Sequence, residues 1–394
     1  MQYRNDAKSG NKLSVLGFGC MRFPKKMNQI DIAKTEEMMI KAVNDGVNYF
    51  DTAFLYNDSE NVLGSILAKN KLREKIFIAT KIPPTKCNTF DDFETIFKTQ
   101  LERLRTEYID YYLIHSLIDI KAWEKLCAIG IEKWIKEKKA SGQIRNIGFS
   151  FHGIQGDFMK LLDVYDWNFC QIQYNYLDEN YQAGVTGLKK AFTKNMPVII
   201  MEPLLGGKLA NGLPKKVVNI YKSSNKHLTP AAWALRWLWN QKEVTVVLSG
   251  MSDMPQLIDN IETAKGAVSG MLTEAENETY ENVLKMIRDS YKIPCTGCNY
   301  CMPCPQGVNI PGCFSAYNTS YSIGLYDGLK QYVTSTGLLD PLKNFGPGNC
   351  VKCGACEKKC PQNIPVIKSL KNVTKRMEPL WIKAFLALYF KFTR

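Results

Sequence analysis

The sequence predicts a (β/α)8 barrel followed by a small, helical domain. Three observations carry that expectation. Eight short apolar, β-rich runs alternate with amphipathic segments from residue 13 to about 265. No such run leads into a GxGxxG that opens a helix, which argues against a doubly wound dinucleotide-binding sheet. Eight of the thirteen cysteines fall in two short runs, "CTGCNYCMPCP" and "CVKCGACEKKCP", between residues 295 and 361.

The strands read in order as "LSVLGFG", "VNYFD", "IFIAT", "IDYYLIH", "IRNIGFS", "FCQIQYN", "PVIIM" and "VTVVLS". Between them, helical periodicity marks 31–44, 91–105, 121–139 and 229–240, the last opened by Thr229 as N-cap and Pro230 at the first helical position. With 394 residues and 45% apolar content, the chain has ample material for a buried core. The amino terminus "MQYRNDAKSGNK" lacks an apolar signal core, and no run reaches the ~18 to 20 apolar residues of a membrane-spanning helix. The expectation is a cytoplasmic protein.

In such a barrel, chemistry gathers where strands end at the carboxyl-terminal face. Strand two runs into "FDTAFLYNDSE", strand three ends at Lys81 and strand four at His115, so Asp51, Tyr56, Lys81 and His115 are expected on one rim. Reducing a carbonyl needs a group that protonates the developing alkoxide, and a free tyrosine with a pKa of about 10 is a reluctant donor. A lysine ammonium beside it stabilises phenolate and lowers that pKa. Asp51 can hold Lys81 charged, and His115 can hydrogen-bond the carbonyl oxygen.

These residues, with "GFGCMRFP", "ASGQIRNIGFS", "QIQYNYLD" and "LTPAAWALRWLWNQKEVTVVLSGMSDMPQLIDN", give residues 10 to about 265 a sequence that resembles the aldo-keto reductase family. The resemblance implies the catalytic tetrad Asp51, Tyr56, Lys81 and His115, a small-molecule carbonyl substrate, and NAD(P)H bound across the barrel mouth. It further implies that Ser150 and Gln173 hold the carboxamide, and that Gly206, Ser249, Gly250, Gln256 and Asn260 line the phosphates and adenosine. This chain departs from the family at several places. Met201, followed by Glu202, stands where an aromatic ring commonly stacks on the nicotinamide. Phe151 replaces an asparagine, and Ser252 followed by Asp253 stands where a cation often meets the 2′-phosphate.

The periodic pattern stops at Tyr291, with Pro294 at the boundary, so the expected division is a barrel over 1–290, a ferredoxin-like domain over 291–365 and a basic amphipathic tail over 366–394. The second cysteine run fits the bacterial ferredoxin pattern of two, two and three intervening residues followed by proline. Two such runs point to two 4Fe-4S clusters, whereas a zinc site needs only four cysteines. Since the fourth cysteine of each run ligates the other cluster in two-cluster ferredoxins, the expected sets are Cys295, Cys298, Cys301 and Cys360, and Cys350, Cys353, Cys356 and Cys304. The first run has two residues rather than three before Cys304, and Cys313 lies near enough in sequence to be a substitute ligand. The whole arrangement resembles the aldo-keto reductases that carry a carboxyl-terminal 4Fe-4S ferredoxin domain. Nicotinamide passes electrons in pairs and a cluster singly, so traffic between them needs a converter such as a flavin, which a barrel's phosphate site can hold without a sequence motif.

The formal charge is +13, and residues 366–394 hold seven Lys or Arg against one Glu. The expected partner of that basic end is an acidic redox protein or an anionic membrane surface rather than nucleic acid; self-packing on its own domain is the plain alternative. Two further readings stay open: an electron-transfer module using the barrel as a docking scaffold, and an enzyme whose clusters are purely structural.

Overall fold

The computed structural model describes residues 1–295, 297, 300–339, 344–360, 362–379 and 381–382. They divide into two compact units, 1–211 with 227–273, and 212–226 with 274 onward. Among them no helix is long and apolar enough to cross a membrane.

All eight expected strands form in the first unit: β1 (Leu16–Gly19), β2 (Tyr49–Asp51), β3 (Phe77–Ile82), β4 (Ile109–Leu117), β5 (Ile144–Phe151), β6 (Phe169–Gln173), β7 (Val198–Met201) and β8 (Val246–Ser249). Each pairs in parallel with its sequence neighbours, and β8 pairs with β1, closing the barrel. The alternation of side chains along a strand then sorts the interior. Tyr49, Ala79, Tyr111, Leu113, Phe169, Ile199 and Val246 form one buried interior cluster. Stepping onward by two from these residues reaches Asp51, Lys81, His115, Gln171, Gln173 and Met201. The same inward register that fills the lower barrel with rings and branched chains therefore delivers polar groups at the mouth. Leu13, expected on the first strand, instead sits in a hairpin of Tyr3–Asn5 with Lys12–Ser14 and joins that interior cluster.

The expected helices form with local changes. Asp31 caps Ile32–Asn44 by accepting from the Lys34 N–H, and Thr229 caps Pro230–Trp239 by accepting from the Ala232 N–H. The 121–139 segment is two helices, Ile120–Ala128 and Ile131–Ala140, because Gly130 adopts φ 94°, a left-handed conformation that breaks the helical path.

Helices Ser59–Lys69 and Phe90–Leu104 brace β3 through a buried polar knot. The Glu60 carboxylate accepts from Thr80 Oγ1 (2.6 Å), Gln100 Nε2 (2.7 Å) and Arg103 Nη1 (3.2 Å). Gln100 Nε2 also reaches the Lys81 carbonyl at 3.2 Å, so the knot grips the strand at the lysine itself.

In the second unit, Lys215–Ser224 packs with Glu274–Asp289, and Ile310–Ser322, Leu325–Thr336 and Val366–Met377 gather around Val308, Phe314, Tyr332 and Val373. This is the helical character expected of it. The division between units lies at 273, ahead of the expected 290, since Glu274–Asp289 finds its apolar partner in 215–224. The expected tail also begins too early at 366: Val366, Leu370, Val373 and Met377 recur on one face of a helix and are buried in the core. Residues 383–394, which carry the rest of that reading, lie outside the described residues.

Gly64 lets the two bracing helices touch, since a Cβ there would lie 2.2 Å from the Arg103 carbonyl oxygen. Gly64→Ala is expected to force them apart and lower the unfolding free energy by about 1–3 kcal/mol. Urea denaturation of the variant checks this.

Candidate functional site

The barrel mouth brings the four rim residues together. Asp51 and Lys81 stand on neighbouring strands, with Asp51 level with Ala79 in the pairing of β2 with β3. The Lys81 ammonium donates to Asp51 Oδ1 at 2.6 Å and to the Thr52 carbonyl at 2.7 Å, and both side chains are almost wholly buried. The second Asp51 oxygen accepts from Gln171 Nε2 at 2.9 Å. Lys81 Nζ lies 5.0 Å from the Tyr56 ring centroid, and the Tyr56 ring meets His115 edge to face at 5.9 Å. The strand bearing His115 runs on to Leu117 with a bulge between Ile114 and Leu117, where Ser116 takes φ 54°. Bulges re-aim side chains and unpaired amides, and this one points the Ser116 N–H at Ser150 Oγ, 2.7 Å away.

Burial and charge divide the protons among these groups. Burial alone would discharge Lys81, but Asp51 and Tyr56 outweigh it and hold its pKa above the ordinary lysine value. For Tyr56 the balance falls the other way: burial raises its pKa and Lys81 only partly opposes it. The expectation that Lys81 leaves Tyr56 with a lowered pKa is thus corrected. Tyr56 rests protonated, the state a proton donor needs. Burial, then the charges of Lys81 and His152, push His115 down to about 3, so its imidazole is neutral at ordinary pH. A neutral ring can hydrogen-bond a carbonyl oxygen without adding charge.

Of the expected dinucleotide residues, Ser150, Gln173 and Ser249 fall at strand ends, while Gln256 and Asn260 lie on the helix Met254–Lys265. Ser150 and Gln173 are buried at the ends of β5 and β6, and Gln173 Nε2 donates to Asp178 Oδ2 at 3.1 Å. Ser249 accepts from Asn260 Nδ2 at 2.8 Å, a buried link between the end of β8 and the helix Met254–Lys265. Gln256 folds onto its own helix start, bonding the Ser252 N–H and Asp253. Gly206 and Gly250 lie on either side of a residue the sequence reading passed over. Arg22 Nη1 donates to the Gly206 carbonyl at 2.8 Å, and its stem crosses Gly250, where a Cβ would lie 3.2 Å from Arg22 Cδ. Among the described residues Arg22 forms no ion pair. Its only signal in the sequence is its place just past the first strand, in "GFGCMRFP". Gln171, Asp178 and His152 were also missed; the inward alternation of "QIQ" could have found the first.

In the second unit, Cys304, Cys350, Cys353 and Cys356 line one recess, otherwise walled mainly by Val308, Ile310, Val351, Ile367 and Leu370. Four thiols on a dry wall are the donor set that a 4Fe-4S cluster takes. Cys304 reaches this recess despite the shortened spacer before it. Cys295, Cys301 and Cys360 pack half-buried against the same unit's core, and Cys298 lies outside the described residues. Cys313 is fully buried among core side chains and is absent from the recess lining.

The model of the Aldo/keto reductase family matches residues 15–273, and that of the 4Fe-4S dicluster domain matches residues 294–367. The chain is 28% identical to a probable aldo-keto reductase 1 of Glycine max, over 70% of this chain and 86% of that one. It is 29% identical to methylglyoxal reductase YeaE of Escherichia coli, over 54% and 74% respectively. An aldo-keto reductase of Klebsiella pneumoniae, solved in complex with NADPH, shares the fold with a TM-score of 0.59 at 19% identity, covering 72% of this chain and 95% of that one.

Asp51→Asn tests the pair on which this geometry turns. In the native protein the raised Lys81 pKa adds stability that is complete below the ordinary lysine value and is lost as pH rises through the folded value. Without the carboxylate, burial depresses that pKa and the sign reverses, so the variant gains stability as pH rises. The expected cost near neutrality is about 3–5 kcal/mol. Denaturant titrations at several pH values measure both the loss and the changed slope.

Proposed function

Because this chain belongs to the aldo/keto reductase family, we propose that its barrel transfers hydride between NAD(P)H and a carbonyl substrate, and that its 4Fe-4S domain holds two clusters serving an acidic redox partner. The observation that carries the first part is the buried Lys81, fixed by Asp51 beside a protonated Tyr56.

A bound reduced dinucleotide supplies the hydride. As the carbonyl carbon accepts it, Tyr56 gives its hydroxyl proton to the oxygen, so carbonyl, hydride and proton become alcohol. Lys81 stabilises the phenolate left behind, and Asp51 keeps that lysine charged through the cycle. Neutral His115 positions the carbonyl oxygen. Ser150 and Gln173 would hold the carboxamide, while Gly206, Ser249, Gly250, Gln256 and Asn260, with Arg22, would line the phosphates and adenosine. The Asp253 carboxylate caps the helix Met254–Lys265, accepting from the Gln256 N–H, and supplies no cation for a 2′-phosphate. That supports use of either dinucleotide.

The recess supports Cys304, Cys350, Cys353 and Cys356 as one ligand set, leaving Cys295, Cys298, Cys301 and Cys360 for the other. Each cluster would supply one-electron chemistry, and a flavin in the barrel's phosphate site would convert between paired and single electrons. Cys353 is the one exposed cysteine among those described. Beside it Val351 is 61% exposed, and the exposed Lys352, Lys358 and Lys359 form no ion pair among the described residues. An exposed apolar side chain and uncompensated cations within one cysteine run suit an acidic partner. The reading of the barrel as an idle scaffold has less support, since a site kept only for docking would not need a buried ammonium and its counter-charge.

Tyr56→Phe is expected to slow carbonyl reduction by ~10² to 10⁴ while leaving dinucleotide affinity unchanged. Steady-state rates and a binding titration of the same preparation check it; near-native turnover would sink the tetrad assignment.

Cys353→Ala is expected to remove one cluster's paramagnetic signal after dithionite reduction and to leave NAD(P)H-driven carbonyl reduction intact. If the variant unfolds instead, or if both native clusters stay oxidised with every nicotinamide and flavin donor, the clusters are structural.

A further inference from the structure

We infer that Asp178 is a positioning residue that sets which end of the Gln173 amide faces the dinucleotide, giving the carboxamide clamp a single polarity. This rests on the proposed reading that Ser150 and Gln173 hold the nicotinamide carboxamide.

Gln173 and Asp178 are only 4% and 8% exposed, and Gln173 Nε2 donates to Asp178 Oδ2 at 3.1 Å. A carboxylate accepts hydrogen bonds and cannot donate them, whereas a glutamine amide has one donor end and one acceptor end. Asp178 therefore takes the donor end, and Oε1 is left to face elsewhere. Asp178 is itself anchored, since its N–H and that of Leu177 donate to Asn175 Oδ1 at 2.9 and 3.1 Å.

Ser150 supplies the complementary pole. Its Oγ accepts the Ser116 N–H, so its hydroxyl hydrogen is available to donate. A carboxamide offers a carbonyl oxygen to Ser150 and an NH₂ to Gln173 Oε1. Turned over, it would set its carbonyl oxygen against Oε1, acceptor against acceptor, which leaves a buried group unpaired. Phe151 stands where the family often has an asparagine, so this chain relies on the Gln173 pole to choose between the two orientations.

The state of Asp178 adds an independent handle. Burial and the nearby Glu202 raise its pKa to about 6, while hydrogen bonds from Gln173 and Asn175 oppose the shift. The groups facing it are thus Gln173 and Asn175 at the end of β6 and Glu202 after β7. Above about pH 6 the carboxylate fixes the amide; below it, the protonated carboxyl can donate to Oε1 and let the amide turn.

The test is calorimetric titration of the full chain with NADP and with its acetylpyridine analogue, in which a methyl replaces the carboxamide NH₂. The native protein is expected to favour NADP by about tenfold, a preference that fades as pH falls through about 6. In Asp178→Asn, whose side chain offers either end to Gln173, the preference and its pH step should both vanish, while Asp178→Glu restores them. Dinucleotides that bind Asp178→Asn with native preference and pH dependence would overturn the inference and leave the nicotinamide reading standing. A native protein that binds neither dinucleotide would overturn both. Should Asp178→Asn fail to fold, Asp178→Glu and the native pH step decide: a preference constant across pH 6 overturns the proposal.

Discussion

A single charge placed where water cannot follow it constrains the first unit. The Lys81 ammonium is almost completely buried, and an isolated ion in that position costs several kcal/mol. Asp51 at 2.6 Å and the Thr52 carbonyl at 2.7 Å offset that cost, and Gln171 satisfies the carboxylate's other oxygen. Such compensation holds only with strict geometry, which is why the surroundings are rigid. The Glu60, Thr80, Gln100 and Arg103 knot grips β3 at the lysine's own carbonyl, and the barrel's parallel register sets Asp51 beside it. Protonation states at the mouth follow from this arrangement. Lys81 stays charged because of Asp51, His115 is neutral partly because of Lys81, and Tyr56 keeps its proton because burial exceeds what Lys81 returns.

Much of the barrel was legible because its strands obey one rule in sequence and space. A run such as "IDYYLIH" alternates an interior ring, an interior leucine and then His115, so the period that identifies the strand also identifies what reaches the mouth. Asp51, Lys81 and His115 could be placed at the mouth for the same reason, whereas Tyr56 follows on the loop after β2. The lowered Tyr56 pKa was misjudged because a sequence shows the neighbouring cation and hides the depth of burial, and burial was the larger effect. The 121–139 helix was read as continuous because a glycine in a helical pattern does not announce its φ. Arg22 was missed since it acts through partners far away in sequence, and Asp178 although its partner Gln173 is only five residues away. Arg22 meets Gly206 and Gly250, and Asp178 lies on a loop whose only legible feature was polarity.

The second unit shows a different limit. The pattern of two-cluster ferredoxins led to the expectation that Cys304 joins the other run, and those four side chains line one recess. Spacing could not mark the unit's edges. Glu274–Asp289 reads like another barrel helix and Val366–Met377 reads like the start of a basic tail. Each nevertheless buries its apolar stripe within the second unit. Amphipathicity reports that a helix has a face to bury and leaves the partner unnamed. The cysteines need a folded cradle, and those two helices enlarge it beyond what a run of 75 residues would support.

The departures from the family pattern form one consistent change in how a dinucleotide would be held. At its adenosine end, Asp253 fills the helix start with a carboxylate and Gln256 turns back onto it, so that end offers little to a 2′-phosphate. At the reacting end, no aromatic ring stands at Met201 and no asparagine at 151. What remains is concentrated between these poles: Arg22, without an ion-pair partner among the described residues, lies across Gly206 and Gly250, and Gln173 is oriented by Asp178. Stacking contributes affinity with little directional preference, whereas an amide of fixed polarity contributes direction and a guanidinium contributes charge-assisted bonds. A site without a flat partner would then depend more heavily on polarity to fix the carboxamide, the part that the inference above gives to the buried carboxylate behind Gln173.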